Sequence, residues 1–168
     1  LDNRYRASVG LLTHTSFLYE NLTGYENLSF FGALYGIKNL KQNIAALATF
    51  FKVDDRMNEP VRDLSRGLKQ RLSIMRLLIH DPDIIILDEP FTGLDEMITK
   101  KLHHMLEKKQ KAGKHILITT HNLRRGYESA SKVGILAHGT MQFETKRDSI
   151  TFDELKRTYK QMIQHETV

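Results

Sequence analysis

The run Ile84-Ile85-Ile86-Leu87 constrains this chain more than any other stretch. Four consecutive apolar residues show no polar/apolar alternation, so they suit a parallel strand covered on both faces rather than a sheet with one wet side. Asp88 and Glu89 follow directly and fall at the strand's carboxyl end, the edge at which open α/β sheets bind ligands. Upstream, Leu64-Ser65-Arg66-Gly67-Leu68 opens a helix. Ser65 suits the N-cap, Gly67 lets backbone approach a ligand closely, and the free amides with the helix dipole favour an anion such as phosphate.

The rest of the pattern builds around that strand. VGLLT at 9–13 predicts a short buried strand. Thr23 and Glu26 have capping-box spacing ahead of Leu28, Phe30, Phe31 and Leu34, with Gly36 as terminator, which predicts a helix over 24–35. Ile44, Leu47, Ala48 and Phe51 predict a second over 41–51, followed by a polar connection containing Pro60. A third, over 66–80, should bury Leu68, Leu72, Met75 and Ile79. After Asp95, Ile98, Leu102, Met105 and Leu106 mark a helix stopped by Gly113, and HILITT reads as another buried strand, completing a βαβ unit. Asn122 caps a short helix over 123–130, VGILA is a further strand, and His138-Gly139 turns into Met141–Glu144. Thr151 and Glu154 repeat the capping box before a last helix with Phe152, Leu155, Tyr159 and Met162 on one face. The fold class is α/β, a parallel-sheet core with an inserted helical subdomain. It divides into 1–15 (core strand and the loop after it), 16–80 (helical subdomain), 81–150 (C-terminal half of the core) and 151–168 (C-terminal helix).

Composition removes several classes of function. With 168 residues, 40% of them hydrophobic, the chain can bury one core, or one core and a small subdomain. No apolar run approaches the roughly 20 residues that cross a bilayer, and no signal-peptide core is present. Lack of cysteine excludes disulfides, zinc ribbons and thiol catalysis, in keeping with a reducing compartment. The net charge of +5 is scattered along helices, as in Lys100-Lys101 and Lys108-Lys109, which reads as solvated faces rather than a nucleic-acid surface. A polyanionic ligand or an acidic membrane surface also fits. His103 and His104 are expected on a helix surface, and no histidine pair has convincing metal-ligand spacing.

LSRGLKQR at 64–71 resembles the signature of the nucleotide-binding domains of ABC-type ATPases, usually LSGGQ-x-QR. IIILDEP at 84–90 resembles their Walker B strand, GLD at 93–95 their D-loop, and His121, 32 positions beyond Glu89, their switch histidine. The resemblance covers essentially the whole chain, which corresponds to the part of such a domain after its first phosphate-binding motif. No G-x-x-x-x-G-K-[ST] occurs. The fold implied is a partial P-loop NTPase fold, and the cofactors are ATP and Mg2+. The resemblance implies that Asp88 holds Mg2+, that Glu89 is the general base, and that His121 hydrogen-bonds the γ-phosphate and the attacking water. It also implies that Ser65 and Gly67 contact the nucleotide of an opposite subunit in a head-to-tail dimer; Arg66, where the family usually has glycine, is counted with them as a candidate to add charge near the phosphates, and Asp95 of the D-loop and His14 are counted among the nucleotide-binding residues. His14 stands where the family's Q-loop usually has glutamine. Taken without the resemblance, the same residues have plainer uses: a strand-end Asp-Glu pair caps the following turn, His121 is a satisfied structural residue, and Arg66 either adds charge near phosphate or points to solvent.

The function so implied is an ATP-hydrolysing subunit that couples hydrolysis to membrane export, peripheral at the cytoplasmic face and partnered by integral membrane permease subunits, with no nucleic acid expected. His14, together with Ser65-Arg66-Gly67, resembles the ATPase subunits of the haem exporters of cytochrome c maturation, although Thr15 stands where those commonly have glutamine. Without the phosphate loop, the chain is expected to be truncated and inactive alone. Two alternatives remain at this level: a soluble ABC-family ATPase acting on ribosomes or DNA, and a non-catalytic remnant serving as an interaction module.

Overall fold

The computed structural model describes residues 7–163; the ends of the first and last predicted segments, 1–6 and 164–168, lie outside the described residues. Two compact units meet in sequence between Thr119 and Thr120, within the segment 81–150.

The first unit contains β1 (Val9–Leu12), α1 (Gly24–Leu34), α2 (Leu40–Phe51), α3 (Arg66–Leu78), β2 (Ile84–Asp88), α4 (Glu96–Lys111) and β3 (His115–Thr119). Its strands form a parallel sheet in the order β1-β2-β3, in which Leu12 pairs with Leu87 and Leu87 with Ile118. Three helices thus intervene between neighbouring strands β1 and β2, as the sequence predicts for an inserted helical subdomain.

Each helix starts for a local reason. At α1 the Thr23 hydroxyl accepts from the Glu26 amide and the Glu26 carboxylate accepts from the Thr23 amide, a complete capping box. Ser65 Oγ accepts from the Leu68 amide at α3, and Asp95 Oδ1 accepts from the Ile98 amide at α4. Lys108, Lys109 and Lys111 crowd the last turn of α4, where positive charge complements the helix dipole.

One contiguous core joins the sheet to the helices: Leu12, Ile85 and Leu87 from the strands meet Ile44, Phe51, Leu72, Met75, Leu77, Ile98 and Leu102. Gly10 permits that contact, because a Cβ there would lie 2.6 Å from Pro82 Cγ. The expectation of a sheet covered on both faces is corrected. Gly10, Leu12, Ile85 and Leu87 share the buried face. On the opposite face Leu11 is 42% exposed, Ile84 40% and Leu117 58%, and β3 has no fully buried residue. The apolar runs thus mark the strands, and within this chain the burial they predict is met on one face of the sheet. Leu68 is likewise only half-buried, packing at the edge of the core that Leu72, Met75 and Ile79 enter.

The second unit has its own small core. It holds α5 (Leu123–Ser129), β4 (Lys132–Ala137), β5 (Thr140–Lys146) and α6 (Phe152–Ile163), with β4 and β5 paired antiparallel. His138 and Gly139 both have positive φ, 52° and 73°, the conformation a tight two-residue hairpin turn requires. Val133, Ile135 and Leu155 are buried together, with Tyr127, Phe143, Tyr159 and Met162 around them. The VGILA segment is thus a hairpin strand rather than a fourth member of the parallel sheet. Thr151 and Glu154 form the predicted capping box.

Candidate functional site

Parallel pairing brings the carboxyl ends of β1, β2 and β3 to one edge of the sheet, and the chemistry-bearing residues of the first unit collect there. Asp88 is the last residue of β2, opposite Thr119 of β3, whose hydroxyl donates to Asp88 Oδ1 at 2.6 Å. Glu89 leaves the strand with φ +48°, a left-handed conformation uncommon for a residue with a Cβ. That twist is fixed from both sides: the Glu89 amide donates to the Thr119 carbonyl at 3.0 Å, and its carbonyl accepts from the Thr92 amide at 3.2 Å. Strain at a carboxylate-bearing strand end is the kind of backbone cost that functional sites carry. His14 follows β1 by two residues at the same edge and is exposed; the flanking Thr13 hydroxyl donates to the Thr15 carbonyl.

The start of α3 is fastened to the turn after Glu89. Gln70 Nε2 donates to the Pro90 carbonyl at 3.2 Å, and Arg71 Nη2 meets Asp95 Oδ2 at 2.6 Å. Gly67 is packed so closely on this turn that an added Cβ would lie 2.7 Å from the Gly93 carbonyl oxygen. Sequence reasoning assigned the smallness of Gly67 to a ligand; within the chain it serves a backbone-to-backbone contact. Ser65 and Arg66 are exposed at the helix start. Asp95, expected beside the nucleotide, spends its oxygens inside the chain on the Ile98 amide and on Arg71.

His121 belongs to the second unit, is exposed, and immediately precedes Asn122, whose side chain caps α5 by accepting from the Arg125 amide. His103 corrects a further expectation: it is half-buried on α4 and stacks on the Phe91 ring at 4.5 Å with 7° between planes. Gln70 and Arg71 close the signature-like run at 64–71 but were given no role from sequence, and Thr119 was not singled out. A signal for Arg71 existed, since it lies beside Leu72 on the inward stripe of α3, where a charged side chain must find partners.

The residues present fit magnesium in one specific way. Among the described residues no group of three or more His, Asp or Glu side chains could hold a metal. Asp88 therefore offers one carboxylate at the sheet edge, and magnesium typically takes one or two carboxylates, completing its shell with phosphate oxygens and water.

Comparison with known proteins bears on this arrangement. The family profile described as ABC transporter matches residues 2–92. The Nod factor export ATP-binding protein I of Cupriavidus pinatubonensis is 38% identical over 118 residues, which is 69% of this chain and 36% of that protein. The ABC transporter ATP-binding protein NatA of Bacillus subtilis is 34% identical over 135 residues, 79% of this chain and 55% of that protein. The chain thus spans from about a third to about half the length of these relatives. A solved structure of an ATP binding subunit of an ABC transporter superposes with a TM-score of 0.86 at 26% identity, over 95% of this chain and 70% of that one. A dimeric ATP-binding cassette in a post-hydrolysis state, bound to ADP and Pi, gives 0.76 at 21% identity, over 86% and 66%, and shares the fold.

Proposed function

Because this chain belongs to the ATP-binding domains of the ABC transporter family, we propose that it is part of an ATP-hydrolysing subunit that drives export across a membrane. The observation that carries the reading is the pair Asp88 and Glu89 at the carboxyl end of the central parallel strand, with Glu89 held in a strained, doubly hydrogen-bonded backbone.

In this reading Asp88 is the protein's ligand to magnesium, which when bound neutralises charge on the phosphates. Glu89 orients the attacking water and takes its proton as the water oxygen closes on the γ-phosphorus and the bond to the β-phosphate oxygen breaks. His121 would hydrogen-bond the γ-phosphate, and His14 would face the same site from the loop after β1. Ser65, Arg66 and Gly67 would meet the nucleotide of a second subunit, making a head-to-tail dimer part of the site; Asp95 would stand at that interface. ATP would close the dimer and hydrolysis reopen it.

The subunit is placed at the cytoplasmic face of the membrane, held by integral membrane permease subunits. In support of such docking, Tyr19 and Phe30 pack edge to face at 5.2 Å on the helical subdomain and, with Phe17, remain substantially exposed. The narrower haem-export reading draws on His14 and Ser65-Arg66-Gly67. The relatives named above concern Nod factor export and NatA and lend haem no support, so the activity is proposed as export without a named cargo.

Phosphate release by the purified full-length protein tests the reading. Glu89→Gln should lower kcat by about a hundredfold or more, the usual size of a general-base contribution. Turnover unchanged by that substitution would sink it. Copurification with permease subunits favours export, whereas RNA or DNA retained at moderate salt favours a soluble ATPase instead.

A further inference from the structure

Arg71 joins three parts of the first unit that are distant in sequence. Its Nη1 donates to the carbonyls of Phe51 and Lys52 at 3.2 and 3.3 Å, at the carboxyl end of α2, where unpaired carbonyls attract a cation. Its Nη2 holds Asp95 at 2.6 Å, and its side chain is only 17% exposed. Two further contacts fasten the same turn to the same helix: Gln70 to the Pro90 carbonyl, and Gly67 against Gly93. The turn from Pro90 to Asp95 is therefore gripped at its start, middle and end by residues from the first two turns of α3.

We propose that Arg71 is a positioning residue that locks the Pro90–Asp95 turn to the start of α3, so that a displacement of the Ser65–Gly67 turn is passed to the turn that follows Glu89. This rests on the reading that Glu89 acts on the chain's own nucleotide and Ser65–Gly67 on a neighbour's. The physical consequence is coupling. A guanidinium fork fixes direction as well as distance, so a displacement at the end of α2 or at the Ser65 turn reaches the turn that follows Glu89 through hydrogen bonds rather than through a flexible loop. Asp95 takes part as Arg71's anchor while also capping α4, which ties the turn to the next helix.

The test uses the full-length protein and the variants Arg71→Ala, Arg71→Lys and Asp95→Asn. Asparagine caps a helix about as well as aspartate, so Asp95→Asn removes the ion pair and keeps α4 capped. The expected result is a kcat lowered about tenfold with KM for MgATP changed by less than about threefold, the pattern of an interaction realised in the transition state. Arg71→Lys should recover part of the loss, the Arg71→Ala/Asp95→Asn double variant should be no slower than the worse single one, and hydrogen exchange at the Thr92 and Leu94 amides should quicken in each single variant. Turnover per folded molecule that stays unchanged, or that falls only in proportion to the unfolded fraction seen by calorimetry, overturns the proposal. If the unsubstituted protein shows no Glu89-dependent turnover, it is the functional reading that fails, and the exchange measurement alone then decides the lock: unchanged exchange at Thr92 and Leu94 in both Arg71→Ala and Asp95→Asn overturns it.

Discussion

Gly67 sits against Gly93 so tightly that a methyl group on Gly67 would lie 2.7 Å from the Gly93 carbonyl oxygen. The obstructing atom is backbone, so no side-chain rotation relieves the clash. Gly67→Ala must push the start of α3 and the turn after Glu89 apart, and the cost should resemble that of overpacking, about 1–3 kcal/mol. Urea unfolding of the nucleotide-free protein measures it. Were Gly67 small only to admit a ligand, this substitution would leave nucleotide-free stability unchanged.

The two faces of the parallel sheet should respond unequally to truncation. Leu87 is 1% exposed in the middle of the core, whereas Leu117 on the neighbouring strand is 58% exposed. Leu87→Ala should cost about 2–5 kcal/mol through lost burial and a cavity. Leu117→Ala should cost under about 1 kcal/mol, the span of strand propensity. Chemical denaturation of both variants decides it, and equal losses would mean that Leu117 is covered in solution.

That asymmetry marks where sequence stopped being informative. Period and caps located the elements well: Thr23 with Glu26, Ser65, Asn122 and Thr151 with Glu154 all sit at helix starts, because capping is settled within four residues. Ile84–Leu87 identified a parallel strand, but burial depends on what lies across the sheet, which no local pattern encodes. The carboxylate pair was legible because two acids after an apolar strand are costly unless they act or are paired. The lock by Gln70 and Arg71 was not, since its partners Pro90, Asp95, Phe51 and Lys52 are 19–24 positions away and depend on how α2, α3 and the turn meet. His103 was expected on a helix surface; its stack on Phe91 is a tertiary contact that helical spacing does not encode.

Asn27 offers a third prediction. It is fully buried in α1, and its side chain accepts from the Tyr19 amide at 2.8 Å while donating to the carbonyls of Tyr19 and Thr23 at 3.0 and 2.9 Å. One amide thereby folds the segment before α1 onto the helix. Asn27→Ala leaves buried backbone groups unpaired and should cost about 3 kcal/mol, the upper end for such a loss. Asn27→Asp keeps the acceptor but loses the donors, so it should be destabilising at neutral pH as well. Thermal melts of the two variants, with faster exchange at the Tyr19 amide, provide the check.

The last prediction concerns acid. His80 follows α3, stacks on Tyr35 at 3.9 Å, and has both ring nitrogens buried. Burial is the largest influence and lowers its pKa; a hydrogen bond with the Val9 backbone and the nearby Asp81 oppose it, while Arg76 and Lys109 act with it, and the balance is a lowered value. The unfolded chain therefore takes up a proton near the ordinary value of 6.5, while the folded chain resists until lower pH. The contribution to stability is complete above about pH 6.5 and is lost as pH falls through the depressed folded value. His80→Phe preserves a ring against Tyr35 and removes both nitrogens, so the fall in melting temperature between pH 7.5 and pH 5.5 should be smaller in that variant than in the unsubstituted protein. Identical falls in the two proteins would show that the acid sensitivity arises elsewhere, with the lowered carboxylates Glu26 and Glu154 contributing only below their own ordinary value of 4.5.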